Sequence, residues 1–184
     1  FAAPLVSERL AARLRAAGVE RAIVALETTS ESRGRSMNRP QQLDEFLRAV
    51  RILQDHGYRD RNLRAFYLVG LPGQTTEEIL RTLVWLYRLG VTPSLTTYTL
   101  TPRSADMDRF GARVRGRTLD ELAPCLWRFA HPGMRVRDLD FVYQHFFQKS
   151  MPIDDIADGD LRHPVIDQMK EIIRSGRHLP QSMF

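Results

Sequence analysis

The chain has 184 residues, the size of one ordinary domain, with 43% hydrophobic and 27% charged residues. That mixture supports a packed core and excludes a disordered chain. No apolar run approaches the roughly 18 residues needed to cross a bilayer, the densest being Ala65–Leu71, and no basic segment leading into an apolar one opens the chain. A cytoplasmic protein without a membrane partner is therefore expected.

The net charge is +5, and all but Lys149 and Lys170 of the 27 basic residues are arginine. Arginine suits phosphate or carboxylate partners. Here, however, the arginines are scattered among 22 carboxylates instead of gathered in a tract, so a solvated surface is expected ahead of a nucleic-acid partner. The lone cysteine, Cys125, excludes an intramolecular disulfide and any cysteine-built cluster or zinc site supplied by this chain alone.

Ser7 can cap a helix running through Ala17, with Leu10, Leu14 and Ala17 on one face and Gly18 as its stop. Arg21–Leu26 then reads as a buried strand. Gln42–His56 carries Leu43, Phe46, Leu47, Val50 and Leu53 at helical spacing, and Gly57 closes it. Leu63–Val69 reads as the next strand. Thr75–Leu89 is a third helix, opened by Thr75 and Glu78 at the spacing of a capping box and ended by Gly90. Pro93–Thr101 supplies a third strand.

Strands separated by single helices in this rhythm run parallel, because each helix returns the chain along the sheet, and such crossovers are right-handed. The expected fold class is α/β, either an open sheet or part of a β/α barrel. Ligands of such sheets lie at the C-terminal ends of the strands. Past about Ala105 the rhythm stops. Thr118–Ala130, Asp138–Lys149 and Leu161–Ser175 read as helices, which divides the chain into an α/β part, 1–105, and a helical extension, 106–184.

Three segments therefore lie where a ligand would sit. In Glu27-Thr28-Thr29-Ser30-Glu31-Ser32, running on to Met37-Asn38-Arg39, a carboxylate and small hydroxyls follow the first strand. Glu27 could accept hydrogen bonds from a ribose diol, and Arg39 suits a carboxylate or phosphate. The same residues also suit a local role, with Thr28–Ser32 capping the next segment and Arg39 neutralising Glu27 or Glu31. In Val69-Gly70-Leu71-Pro72-Gly73-Gln74-Thr75, two glycines allow close backbone approach, as a flat ring would require, or simply a tight strand-to-helix turn. There is no phosphate-loop Lys-Ser/Thr ending. Thr96–Pro102 is a threonine-rich strand that could close one side of a pocket.

Taken together, ALETTSE…MNRP, then Gly57-Tyr58, then FYLVGLPGQTTEEI, then TYTLTP resemble the second half of a radical S-adenosylmethionine (SAM) enzyme core. The pattern, covering roughly Ser7 to Pro102, is most similar to the group that often carries a cobalamin-binding domain. The resemblance implies the C-terminal half of a partial (β/α)6 TIM-like barrel, in which a [4Fe–4S] cluster cleaves SAM to a 5′-deoxyadenosyl radical. A cobalamin-dependent methyltransferase is one such activity. It also implies that Glu27 lies near the ribose or methionyl end of SAM with Thr28 and Ser30 beside it. Arg39 would pair with the methionyl carboxylate, Val69 and Gly70 would flank adenine, and Tyr98 and Thr99 would contribute on its other side.

The family's CxxxCxxC motif and its GGE-type loop are absent, and three thiolates are needed to hold the cluster. The expectation is that the cluster-bearing N-terminal half lies in polypeptide outside these residues, either removed ahead of Phe1 or a separate chain. No catalytic residue or metal ligand is expected in this chain, and the substrate is not legible. The rival expectation is a cluster-less half-barrel that docks on a partner chain as a binding or regulatory protein. An RNA-modifying role for the arginines is weaker still. His56, His131, His145, His163 and His178 lack metal-ligand spacing, Cys125 reads as a buried apolar residue, and Phe141, Tyr143, Phe146 and Phe147 read as core.

Overall fold

The computed structural model describes residues 1–37, 43–71, 73–98 and 162–176, together with 138, 141, 156, 157, 159 and 160. After a 3-10 turn at Ala3–Leu5 come α1 (Glu8–Ala16), β1 (Ala22–Glu27), α2 (Glu31–Ser36), α3 (Leu43–Asp55), β2 (Asp60–Val69), α4 (Thr76–Arg88), β3 (Val91–Thr97) and, near the C-terminus, α5 (Pro164–Ser175). Thr118–Ala130 and most of Asp138–Lys149 lie outside the described residues, as does Cys125.

The three strands form one parallel sheet in the order β1-β2-β3, as the helix–strand rhythm requires. Val24 pairs with Ala65 and Ala65 with Pro93, so strand centres align across the sheet. Pro93 cannot donate to a ladder, and its place on β3, the outer strand among the described residues, fits that lack. On the far side of β1, the Phe1 ammonium donates to the Ile23 carbonyl (2.6 Å) while Ala25 N–H donates to the Phe1 carbonyl (2.9 Å), the bonding of a parallel neighbour.

The core follows from alternation along the strands. Ala22, Val24 and Leu26 of β1 and Leu63, Ala65, Tyr67 and Val69 of β2 are buried, while the intervening residues are more exposed. Helix α3 packs on β1 and β2, α4 on β2 and β3, and α1 on α3. Phe46 and Trp85 meet across α3 and α4 with ring centroids 5.8 Å apart. Helix α4 buries Ile79, Leu80, Leu83, Val84, Trp85 and Leu86, more than one stripe, because α5 covers part of it.

Helix ends obey local chemistry. Ser7 Oγ accepts from Leu10 N–H (3.3 Å) and Thr75 Oγ1 from Glu78 N–H (3.1 Å). The expected start of the last helix at Leu161 moves to Pro164, where proline's missing N–H costs nothing in the first turn. His163 Nδ1 caps it by accepting from Val165 N–H (3.3 Å), and its ring stacks on Phe141 at 3.9 Å. His56 Nε2 meets Glu8 Oε2 at 2.7 Å. Both histidines thus make local contacts within the fold. Helix α2 falls in the stretch after β1 where the sequence pattern predicts no helix. It has no apolar periodicity and contains Gly34, and is held by its cap and by contacts distant in sequence.

Candidate functional site

Parallel strands place their C-terminal ends along one edge, so Glu27, Val69–Gly70 and Tyr98 share that edge. Val69 pairs with Thr97, and Tyr98 N–H donates to the Val69 carbonyl at 2.8 Å. Arg39 and Thr99 lie outside the described residues.

At the end of β1 the register slips between Ala25 and Glu27, and Glu27 adopts φ 56°. A three-residue turn closes around it, with Thr28 N–H donating to the Leu26 carbonyl at 2.6 Å. Non-glycine residues seldom occupy positive φ, so the ladder and the following loop must hold it there. Thr28 Oγ1 accepts from Ser30 N–H (3.1 Å) and from Arg33 Nη1 (3.2 Å). Ser30 Oγ accepts from Arg33 N–H (3.3 Å), capping α2. The local role of Thr28 and Ser30 is therefore realised, and Arg33 is the cation that answers it.

The second loop is braced by a side chain that the sequence reading did not single out. Gln74, only 2% exposed, accepts from Gly70 N–H (2.8 Å) and Leu71 N–H (3.3 Å). Its amide donates to the Tyr67 hydroxyl (3.0 Å) and the Leu68 carbonyl (3.1 Å). Gly70 at φ 92° lets the chain turn straight off the strand. Burial pushes the Tyr67 pKa well above the usual tyrosine value. Thr82 Oγ1 donates to the Glu78 carbonyl (2.9 Å), so at the 3.1 Å contact between Thr29 and Thr82 the Thr29 hydroxyl is the donor. Hydrogen bonds thus tie Gln74 of the second loop to Tyr67 of β2, and Thr29 of the first loop to Thr82 of α4.

The capping-box expectation at α4 is met in half. Glu78 accepts a bidentate pair from Arg33 in place of turning back to Thr75; the Nη2–Oε2 bond is 3.0 Å and the other joins Nη1 to Oε1. Beside this pair a cleft of about 230 Å³ is lined by Thr29, Thr75, Glu77, Glu78, Arg81 and Thr82. Glu77 and Glu78 in the first turn make its α4 end a poor phosphate site.

Glu27, Gly70 and Tyr98 form one rim of strand tips, in which Gly70 is buried with its N–H held by Gln74 and the Tyr98 N–H is spent on the Val69 carbonyl. The rim does not fit an iron–sulfur cluster. A single cysteine in the chain cannot supply three thiolates, and among the described residues no group of three His, Cys, Asp or Glu could hold a metal ion. No helix among the described residues is long and apolar enough to cross a membrane.

Comparison with known proteins agrees with the architecture. Residues 2–86 match the family model described as the Radical SAM superfamily. The fold is similar to coproporphyrinogen III oxidase (HemN) from Escherichia coli, described as a radical SAM enzyme, with a TM-score of 0.54 at 19% sequence identity. That likeness covers 80% of this chain and 31% of the other, so this chain spans less than a third of that enzyme's length. No curated protein matches the chain. The family match is thus confined to a little under half of the chain, and the likeness to the solved structure concerns the fold.

Proposed function

We propose that this chain is the SAM-positioning part of a radical SAM enzyme, forming the C-terminal half of a partial barrel followed by a helical extension. The observation that carries the reading is the shared rim of Glu27, Gly70 and Tyr98 on parallel strands, within and beside the segment that matches the family. Glu27 receives the ribose or methionyl end, with Thr28 and Ser30 shaping the turn beside it. Arg39 pairs with the methionyl carboxylate. Val69 and Gly70 flank adenine from one side, and Tyr98 and Thr99 from the other. Bound SAM supplies the adenosyl group that, on reductive cleavage, becomes the 5′-deoxyadenosyl radical acting on substrate.

The cluster that delivers the electron belongs to an N-terminal half-barrel, in the same polypeptide or a partner chain, working in the cytoplasm. The likeness of the ordered segments ALETTSE…MNRP, Gly57-Tyr58, FYLVGLPGQTTEEI and TYTLTP to the cobalamin-associated group favours cobalamin as a second cofactor, with methyl transfer the reaction class of this reading. What this chain contributes is orientation, holding the sulfonium by its ends.

The test uses the intact enzyme prepared without oxygen. Titration with SAM gives a measurable Kd for the wild type, and Arg39→Ala weakens it by about 1.5–3 kcal/mol, the range of a charge-assisted hydrogen bond. Unchanged affinity in that variant refutes the carboxylate assignment, and an iron-free protein that ignores SAM refutes the whole reading. The single cysteine favours one rival, a cluster-less half-barrel docking on a partner, and that iron-free outcome is the one it predicts.

A further inference from the structure

The ion pair between Arg33 and Glu78 joins two strand-tip loops that have no covalent reason to stay in register. Arg33 lies in the last turn of α2 and Glu78 in the first turn of α4, where cation and anion each complement the local helix end. The side chains are 12% and 23% exposed, shielded enough for a planar two-bond contact to outweigh the loss of water. The same guanidinium donates to Thr28 Oγ1 at 3.2 Å, one residue after the positive-φ Glu27. It therefore touches the first loop beside its carboxylate and the helix that begins where the second loop ends. The Thr29–Thr82 contact at 3.1 Å makes a second tie between the same elements.

From this geometry we propose that Arg33 is a positioning residue for the adenosyl ligand: its clasp on Glu78 holds the Glu27–Ser30 loop against the Gly70 loop before the ligand arrives. The inference rests on the SAM-binding reading and extends it to residues that touch no ligand themselves. A rim already ordered binds without the entropy cost of ordering a loop on contact. With the clasp gone, the rim must order during binding, and affinity falls while the core stays folded.

The test is SAM titration and amide hydrogen exchange on the intact enzyme, for the wild type, Arg33→Met, Arg33→Lys and Glu78→Gln. Arg33→Met and Glu78→Gln each raise the SAM Kd about tenfold, and the double variant is no weaker than the worse single, because both break one contact. Arg33→Lys keeps the charge without the fork and recovers part of the affinity. In Arg33→Met, amides of residues 28–34 exchange fast without SAM and slowly with it, whereas in the wild type they are slow in both. A merely structural role would leave that ligand-dependent difference unchanged. Wild-type binding with unaltered affinity in both single variants, or strictly additive effects, overturns the inference. Absence of SAM binding by the wild type overturns the reading it rests on, and the inference with it.

Discussion

Replacing Gln74 by Leu removes, at nearly constant volume, the one side chain that satisfies four polar groups in the loop after β2. Gly70 N–H and Leu71 N–H lose their acceptor, and the Leu68 carbonyl and the Tyr67 hydroxyl each lose a donor. An unsatisfied buried group costs about 1–3 kcal/mol, and two amides at a buried glycine and leucine are the main debt. Local relaxation returns part of it, which leaves a loss of about 3–4 kcal/mol. For a chain of this length that corresponds to a melting temperature lower by on the order of 10 °C. Gln74→Glu keeps acceptors for both amides but loses the donors to the Tyr67 hydroxyl and the Leu68 carbonyl and buries a carboxyl group, so it too is destabilised, increasingly as pH rises and the carboxylate forms. Urea denaturation of the full chain, followed by circular dichroism, reads both. A Leu variant within about 0.5 kcal/mol of wild type would refute the account of Gln74 as the brace of this loop.

Further outcomes follow from other parts of the fold. With φ at 56°, Glu27→Gly is more stable than Glu27→Ala by about 1 kcal/mol although both delete the carboxylate; equal stabilities would show that the turn relaxes. Trp85→Ala opens a cavity beside Phe46 and costs about 3–5 kcal/mol in the same denaturation assay. Burial raises the pKa values of Tyr67 and Tyr87 above the ordinary value of 10.0. The unfolded chain therefore ionises first, so the stability these groups contribute is complete below about pH 10 and is lost as pH climbs through their folded-state values. Phenolate absorbance should show both tyrosines titrating only as the chain unfolds; two ordinary titrations in the folded state would contradict their burial.

Sequence alone determined the direction of the chain. Apolar spacing in Leu43–Leu53, the caps Ser7 and Thr75, and the stops Gly18, Gly57 and Gly90 are local features, and helices between strands force a parallel sheet. Once that is fixed, Glu27, Gly70 and Tyr98 must share an edge. What only the tertiary structure decided is which polar groups are free to face a ligand and which are spent on the fold. Thr28 and Ser30 are engaged by Arg33, and Gly70 N–H by Gln74. Arg33 reaches Glu78 across 45 positions of sequence. No apolar stripe marks helix α2. The register slip at Glu27 arises from fitting β1 to β2, a relation between strands that neither strand encodes by itself. Periodicity reports the burial of one face over a few turns of chain, whereas a guanidinium finds its carboxylate only after two crossovers have set the helices side by side.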